Sequence, residues 1–347
     1  MEVNTATDAQ NPPIRDTRPT LSVVVPAYNE EEVLPEFHRR LAATLDGVDA
    51  AAEIIYINDG SSDGTLAVLR ALRDADERVA VINLSRNFGK EVAMTAGLDH
   101  AGGDAVVVID SDLQDPPELI PGMIAAWRQG HDVVLMRRRS RAQESWLKKA
   151  TARAFYRTIG RMGTIEIPEN VGDFRLLSRR AIVALRRFPE RSRFMKGLFA
   201  WIGFPTAEID YDRDGRFAGE TKWNYWRLWN FALEGITSFS VVPLKIASYM
   251  GLVAALAAFV RGVYVIGKTL IYGDPVAGYP TLVVLILFFG GLQLMALGII
   301  GEYLARMFIE VKERPLYLVA DSLPPAQPIG PPPSGAAGTA GSAWPLR

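Results

Sequence analysis

Residues 105–118 read AVVVIDSDLQDPPE: five apolar, mostly β-branched residues run straight into Asp110, Asp112, Gln114, Asp115 and Glu118. A short apolar run of this kind suits a strand buried on both faces. The polar burst after it marks where the chain leaves the sheet. The same pattern recurs upstream. Residues 21–25 run into PAYNE (26–30), residues 53–57 into NDGSSDGT (58–65), and residues 79–84 into SRNFGKE (85–91). A fifth apolar run, 133–136, opens onto Arg137, Arg138 and Arg139. Stretches with helical spacing, such as 31–45 and 64–74, lie between these runs. Strand–helix alternation from Leu21 to about Asp210 predicts an α/β fold, a mostly parallel sheet covered by helices. Ligands in such sheets sit beyond the carboxyl ends of the strands, so the polar bursts are expected to face one cleft.

The acidic burst has a specific chemical use. A nucleoside diphosphate is strongly negative and carboxylates alone would repel it, whereas a divalent cation takes oxygen ligands from both. Asp110 and Asp112, with Gln114 as a further oxygen donor, offer such ligands. The same residues also suit a turn or helix cap before Pro116 and Pro117, and both readings stand at this point. Asp59 has a carboxylate able to accept from a base N–H, beside a turn at Gly60 and helix caps at Ser61, Ser62 and Asp63. Tyr28 suits either the core or the face of a base, and Glu30 suits the positive end of a helix. Arg137 and Arg138, at a strand end, are expected to meet phosphate, and the sequence leaves open which one points inward.

Bulk composition excludes several classes. The chain has no cysteine, hence no disulfide, thiolate metal site or cysteine nucleophile. A net charge of −1 by itself says nothing about partners, so local clusters are read instead, and no nucleic-acid partner is expected. No Gly-x-Gly-x-x-Gly follows the first strand, which argues against a dinucleotide-dependent oxidoreductase.

The hydrophobic content of 49% is unevenly spread. Residues 246–272 and 280–304 are apolar stretches that each exceed the roughly 20 residues needed to cross a bilayer as helix. Arg261 and Lys268 are placed to snorkel toward headgroups. The short connector has no Lys or Arg, whereas Lys222, Arg227 and Lys245 precede the first stretch and Arg306, Lys312 and Arg314 follow the second. The positive-inside rule then predicts a transmembrane hairpin with both ends cytoplasmic. Ahead of it, Trp226, Trp229, Leu233 and Ile236 share one helical stripe suited to the bilayer interface. Lys148, Lys149, Arg153, Arg157 and Arg161 read as a solvated face or a surface for anionic lipid. The expected organisation is a disordered 1–20 without a secretory signal, a catalytic domain 21–222, an interfacial helix 223–242, two membrane helices within 243–310, and a largely disordered cytoplasmic tail 311–347.

The ordered motifs PAYNEEEVLPEF, NDGSSDGT, LSRNFGKEVAMTAGLDHAGGD and DSDLQDPPELIP resemble the family 2 glycosyltransferases. They are specifically similar to dolichyl- and bacterial polyprenyl-phosphate sugar synthases of the bactoprenol glucosyltransferase type, over roughly residues 21–319. The resemblance implies a GT-A fold of the nucleotide-diphospho-sugar transferase type. It implies that Pro26, Tyr28, Glu30 and Asp59 hold base and ribose, with Asn29, Ile57, Lys90, Asp110, Ser111 and Arg137 completing the donor site. It further implies that Asp110, Asp112 and Gln114 bind Mg²⁺ or Mn²⁺ together with the diphosphate. Asp173 and Arg175, in the element Asp173-Phe174-Arg175, would join Asp112 in catalysis, with Asp173 either orienting the acceptor or acting as a base. Arg138, Arg213, Arg216 and Lys222 would bind the acceptor phosphate. Absence of Gln-x-x-Arg-Trp argues against polymerisation and for one inverting transfer. The implied substrates are undecaprenyl phosphate at the inner membrane and UDP-glucose, with GDP-mannose and modified UDP-sugars as open donors. A homo-oligomer and a lipid-linked-sugar flippase are the implied protein partners. The alternatives are transfer to diacylglycerol or ceramide, and a non-catalytic nucleotide-sugar-binding scaffold.

Overall fold

The computed structural model describes residues 19–139, 171–191, 193–212, 242–272 and 278–326. The interfacial helix expected at 223–242, the basic run from Lys148 to Arg161, and Arg213, Arg216 and Lys222 lie outside them. Among the described residues the strands are β1 (Thr20–Ala27), β2 (Ala51–Asn58), β3 (Val79–Leu84), β4 (Ala105–Val108), β5 (Val133–Arg138), β6 (Val171–Ser178), β7 (Thr206–Tyr211) and β8 (Val319–Leu323). They form one sheet in the order β7-β5-β6-β4-β1-β2-β3-β8. The helices are α1 (Leu34–Asp46), α2 (Thr65–Ala75), α3 (Lys90–His100), α4 (Ile120–Arg128), α5 (Arg179–Leu185), α6 (Met195–Trp201), α7 (Val242–Tyr272) and α8 (Tyr279–Val311).

The central strands β4, β1, β2 and β3 are parallel, as the alternation predicts. Their apolar runs are buried on both faces: Val23 and Val25 pack with α1, whereas Val24 packs with α3. Helices α1, α2 and α4 cover one face, and α3, α5 and α6 cover the other. The approach of α3 is close. A Cβ on Gly97 would lie 2.3 Å from Val24 Cγ1 and 2.7 Å from Ile57 Cδ1, so only glycine lets α3 sit this low on β1 and β2. Its first residue, Lys90, is thereby held over the strand ends.

Two departures from the expected sheet matter. Strand β6 enters antiparallel between β4 and β5, with Val108 opposite Arg175. That register carries Asp173 to the level of Asp110, two residues beyond Val108. The tail also departs from its composition. It is expected to be largely disordered over 311–347, yet Val319–Leu323 forms β8, which pairs antiparallel with β3. Tyr317 is buried beside it and donates to Asp99 at 3.1 Å. The physical reason is the open edge of β3, whose unpaired backbone groups gain a ladder by taking β8.

Helices α7 and α8 contain 31 and 33 residues and lie against one another. Among the described residues no helix is long and apolar enough to cross a membrane. Nevertheless Leu252, Leu256, Phe259, Ile286 and Leu294 on the pair are all more than half exposed. The end of α8 is tied to the catalytic unit, because the Glu310 carboxylate accepts from the Arg191 N–H at 2.9 and 3.0 Å.

Candidate active site

The polar bursts meet at the carboxyl ends of β1, β2 and β4. Much of what they contain stitches loops together. Asn29, at φ 55°, accepts from the Ser62 N–H at 2.9 Å, and its own N–H donates to Ser61 Oγ at 3.0 Å. The Glu30 N–H donates to Thr65 Oγ1 at 2.9 Å. Ser111 Oγ donates to the Pro26 carbonyl at 3.4 Å, linking the ends of β4 and β1. Tyr28 stands exposed at the rim.

Asp59 is buried, and its carboxylate is already engaged. It accepts from the Phe88 N–H at 2.7 Å and the Gly89 N–H at 2.9 Å. The spare carboxylate expected from sequence is therefore a clamp on the loop leading to Lys90. Gly89 adopts φ +97°, a left-handed conformation that starts α3 directly after the clamp.

The clamped lysine is the centre of the site. Lys90 Nζ lies 2.7 Å from Asp110 and 2.5 Å from Asp173 Oδ2. Burial alone would lower the Lys90 ammonium, but Asp110 and Asp173 outweigh it and keep it charged. Burial likewise opposes ionisation of Asp173. Lys90, Lys196 and Arg175 overcome that and hold its carboxyl well below the usual range. At Asp110 burial raises the carboxyl, Lys90 opposes the rise, and Asp173, Asp115 and Asp112 add to it. One ammonium thus bridges two carboxylates of unequal character.

Around this bridge stand Glu91 and Lys196, which the sequence did not single out, and Arg175, which it did. Glu91 is pushed up to about 7 by burial and by the Asp173 charge, and it accepts from the Met195 N–H at 3.2 Å. Lys196, on α6, acts on both Asp173 and Glu91. Residues 91 and 195 are too far apart in sequence for any local pattern to pair them. Arg175 is buried, stacks 4.0 Å over Phe199 and donates to the Gly172 carbonyl at 2.6 Å. Burial lowers its guanidinium to about 10, with Asp173 and Glu91 opposing.

The two adjacent arginines part company by strand parity. Arg138 faces the acidic cluster: its Nη2 lies 4.0 Å from Asp115, and its Nε donates to Tyr211 Oη at 3.3 Å. Arg137, expected at the donor, faces the opposite side of the sheet, 2.6 Å from Glu208 and 2.7 Å from Asp210. Ile57, also expected at the donor, is a core residue under α3 and presents no side chain to the cleft. Gln114 approaches Asp112 through its backbone N–H, at 3.2 Å from Oδ1.

A divalent cation fits this donor set. Asp110 is crowded by Asp112, Asp115 and Asp173. Asp115 Oδ2 and Asp173 Oδ1 are buried and accept no hydrogen bond among the described residues. These are hard oxygen donors with an excess of negative charge. Among the described residues no three acidic or histidine side chains form a closed cage. A cation here would take one or two of these carboxylates and need substrate phosphates to complete its shell.

A doubly covered, mostly parallel α/β sheet with acidic and basic groups converging beyond its strand ends is a GT-A-like arrangement. Residues 22–186 match the family described as "Glycosyl transferase family 2", and the chain belongs to that family. It is 52% identical over 301 residues to an uncharacterized glycosyltransferase of Synechocystis, covering 87% of this chain and 95% of that protein. It is 48% identical to a prophage-derived bactoprenol glucosyl transferase of Shigella flexneri, covering 87% of this chain and 98% of that one. A prophage bactoprenol glucosyl transferase homolog of Escherichia coli is also 48% identical, over 86% of this chain and 98% of its own length. Among solved structures, glucosyl-3-phosphoglycerate synthase from Mycobacterium tuberculosis, in complex with Mn²⁺ and UDP-glucose, aligns with TM-score 0.42 at 20% identity. That alignment covers 63% of this chain and 77% of that one.

Proposed function

We propose that this glycosyltransferase moves glucose from UDP-glucose to undecaprenyl phosphate, with inversion, at the cytoplasmic face of the inner membrane. The observation that carries the reading is the Lys90 bridge between Asp110 and Asp173, set where a diphosphate and an acceptor phosphate would meet. The relatives named as bactoprenol glucosyl transferases support the donor and acceptor classes.

In this reaction an acceptor phosphate oxygen forms a bond to the anomeric carbon as the bond from that carbon to the nucleoside diphosphate breaks. The electron pair leaves on the diphosphate. A single in-line displacement inverts the centre. Mg²⁺ or Mn²⁺, held by Asp110 and Asp112, would supply charge neutralisation on the diphosphate. Lys90, against Asp110, and Arg138, beside Asp115 and fixed by Tyr211, are preorganised cations at the acidic cluster. A phosphate monoester has a second pKa near about 6 and is largely dianionic at neutral pH, so it needs no strong base. Asp173 suits that demand. Held ionised by three cations, it is a poor proton acceptor and acts by orienting Lys90. A lipid hydroxyl acceptor such as diacylglycerol or ceramide would need a base in place of an orienting Asp173, and the relatives named as bactoprenol glucosyl transferases favour the phosphate acceptor.

The membrane reading rests on sequence and exposure together. Residues 279–301 contain no charged residue, a stretch of 23 positions, enough for a bilayer core of about 20 residues. The exposed apolar positions of α7 and α8 need a nonaqueous neighbour, and lipid supplies one. Both termini then lie on the cytoplasmic side. A homo-oligomer and a lipid-linked-sugar flippase are the partners this reading expects, and cell-envelope glycan is the destination.

The test is a panel of UDP- and GDP-sugars offered to purified protein with undecaprenyl phosphate. An acid-labile glycolipid formed from UDP-glucose alone supports the reading. Product from GDP-sugars instead would replace the donor assignment.

A further inference from the structure

A cavity of about 230 Å³ lies between β5, β6 and α6. Much of its wall is apolar, with Val133, Leu135, Phe199 and Phe204, and two cations, Arg175 and Lys196, also line it. At about 30 Å³ per water it has room for roughly seven waters, the scale of a phosphate plus a short branched hydrocarbon. Its carboxylate, Glu208, is engaged by Arg137 at 2.6 Å.

Its position links the chemistry to the hairpin. Arg175 follows Asp173 by two residues on the same face of β6, so one wall residue of the cavity stands two strand positions from the Lys90 bridge. Lys196 acts electrostatically on Asp173 from the other wall. Just before α6, the Arg191 backbone is held by Glu310 of α8, so the segment entering the cavity's helical wall is anchored to the apolar hairpin. A wall with cations beside the reaction centre and hydrocarbon elsewhere matches an amphipathic ligand with an anionic head.

We propose that this cavity receives the phosphate and first isoprene unit of the acceptor, with Lys196 and Arg175 on the phosphate and Phe199 and Phe204 against the hydrocarbon. This rests on the reading of the acceptor as a polyprenyl phosphate and assigns its site. The cavity selects a prenyl phosphate over an inorganic one, because the apolar wall is satisfied only by the chain.

The test uses the full chain in detergent with UDP-glucose and two acceptors, undecaprenyl phosphate and the ten-carbon geranyl phosphate. Ala200→Trp fills the cavity from α6, and Lys196→Met removes one cation. Each is expected to raise the acceptor KM at least tenfold while UDP affinity by calorimetry stays within twofold, and Lys196→Arg is expected to restore most of the loss. If Ala200→Trp loses UDP binding through misfolding, Lys196→Met and its rescue by arginine decide alone. Wild-type acceptor KM in folded Ala200→Trp and Lys196→Met overturns the cavity assignment. No glycolipid from the wild type with either acceptor overturns the functional reading and this proposal with it.

Discussion

Replacing Asp59 distinguishes a loop clamp from a base contact. The buried carboxylate accepts two backbone N–H groups, from Phe88 at 2.7 Å and Gly89 at 2.9 Å. A hydrogen bond to a charged group contributes about 1.5–3 kcal/mol. Losing two would cost about 3–6 kcal/mol, and relief from burying a charge, the main influence on this carboxyl, offsets part of it. We expect Asp59→Ala to lower the free energy of opening the 85–90 loop by about 2–4 kcal/mol. Asp59→Asn keeps one acceptor oxygen and should lose about half as much. The assay is amide hydrogen exchange of peptides spanning 85–90, read beside UDP affinity. At about 1.4 kcal/mol per tenfold, Asp59→Ala should speed exchange there by about 30-fold or more. UDP binding should weaken with it, because Lys90 loses its anchor. Unchanged exchange with UDP binding abolished would refute the clamp and leave direct base recognition.

Other expectations concern charge, metal and the tail. Asp112→Asn should cut turnover by about 100-fold and blunt the response to Mg²⁺, and an unaltered rate and metal titration would remove Asp112 from the cation site. Glu91 gains a proton in the folded protein that the unfolded chain releases near 4.5. The stability this gives is complete below about 4.5 and is lost as pH rises through about 7. The thermal midpoint of the wild type should therefore fall from pH 5 to 8 more steeply than that of Glu91→Gln, and parallel curves would contradict the burial argument. A chain stopped after Leu316 loses β8 and the burial of Tyr317, worth about 1.5–3 kcal/mol for the side chain alone. Its midpoint should drop and its light scattering rise as the β3 edge opens, and an unchanged midpoint would make β8 a dispensable cover.

The first five strands are legible because each is an apolar run with both faces buried, and the polar bursts at their ends are where such a sheet places ligands. Strand β6 is not legible by that rule. Its sequence VGDFRLLS buries Asp173 and Arg175, charged residues that become strand residues only once Lys90, Lys196 and Glu91 surround them. Strand β7 alternates exposed and less exposed positions over just six residues, and β8 hides in a segment whose composition suggests disorder. The orientation of Arg137 and Arg138 depends on strand parity, which needs a known inner face. Asp59 illustrates a different limit. Its residue type and place at a strand end were readable, whereas its partners are backbone groups 29 and 30 residues away.

The most direct measurement of the central claim offers labelled UDP-glucose and Mg²⁺ to the purified chain, with undecaprenyl phosphate in one reaction and undecaprenol in another. The account predicts label in an acid-labile lipid with the phosphate only, abolished by EDTA. Equal transfer to the alcohol, or label only in a neutral lipid from added diacylglycerol, would contradict it.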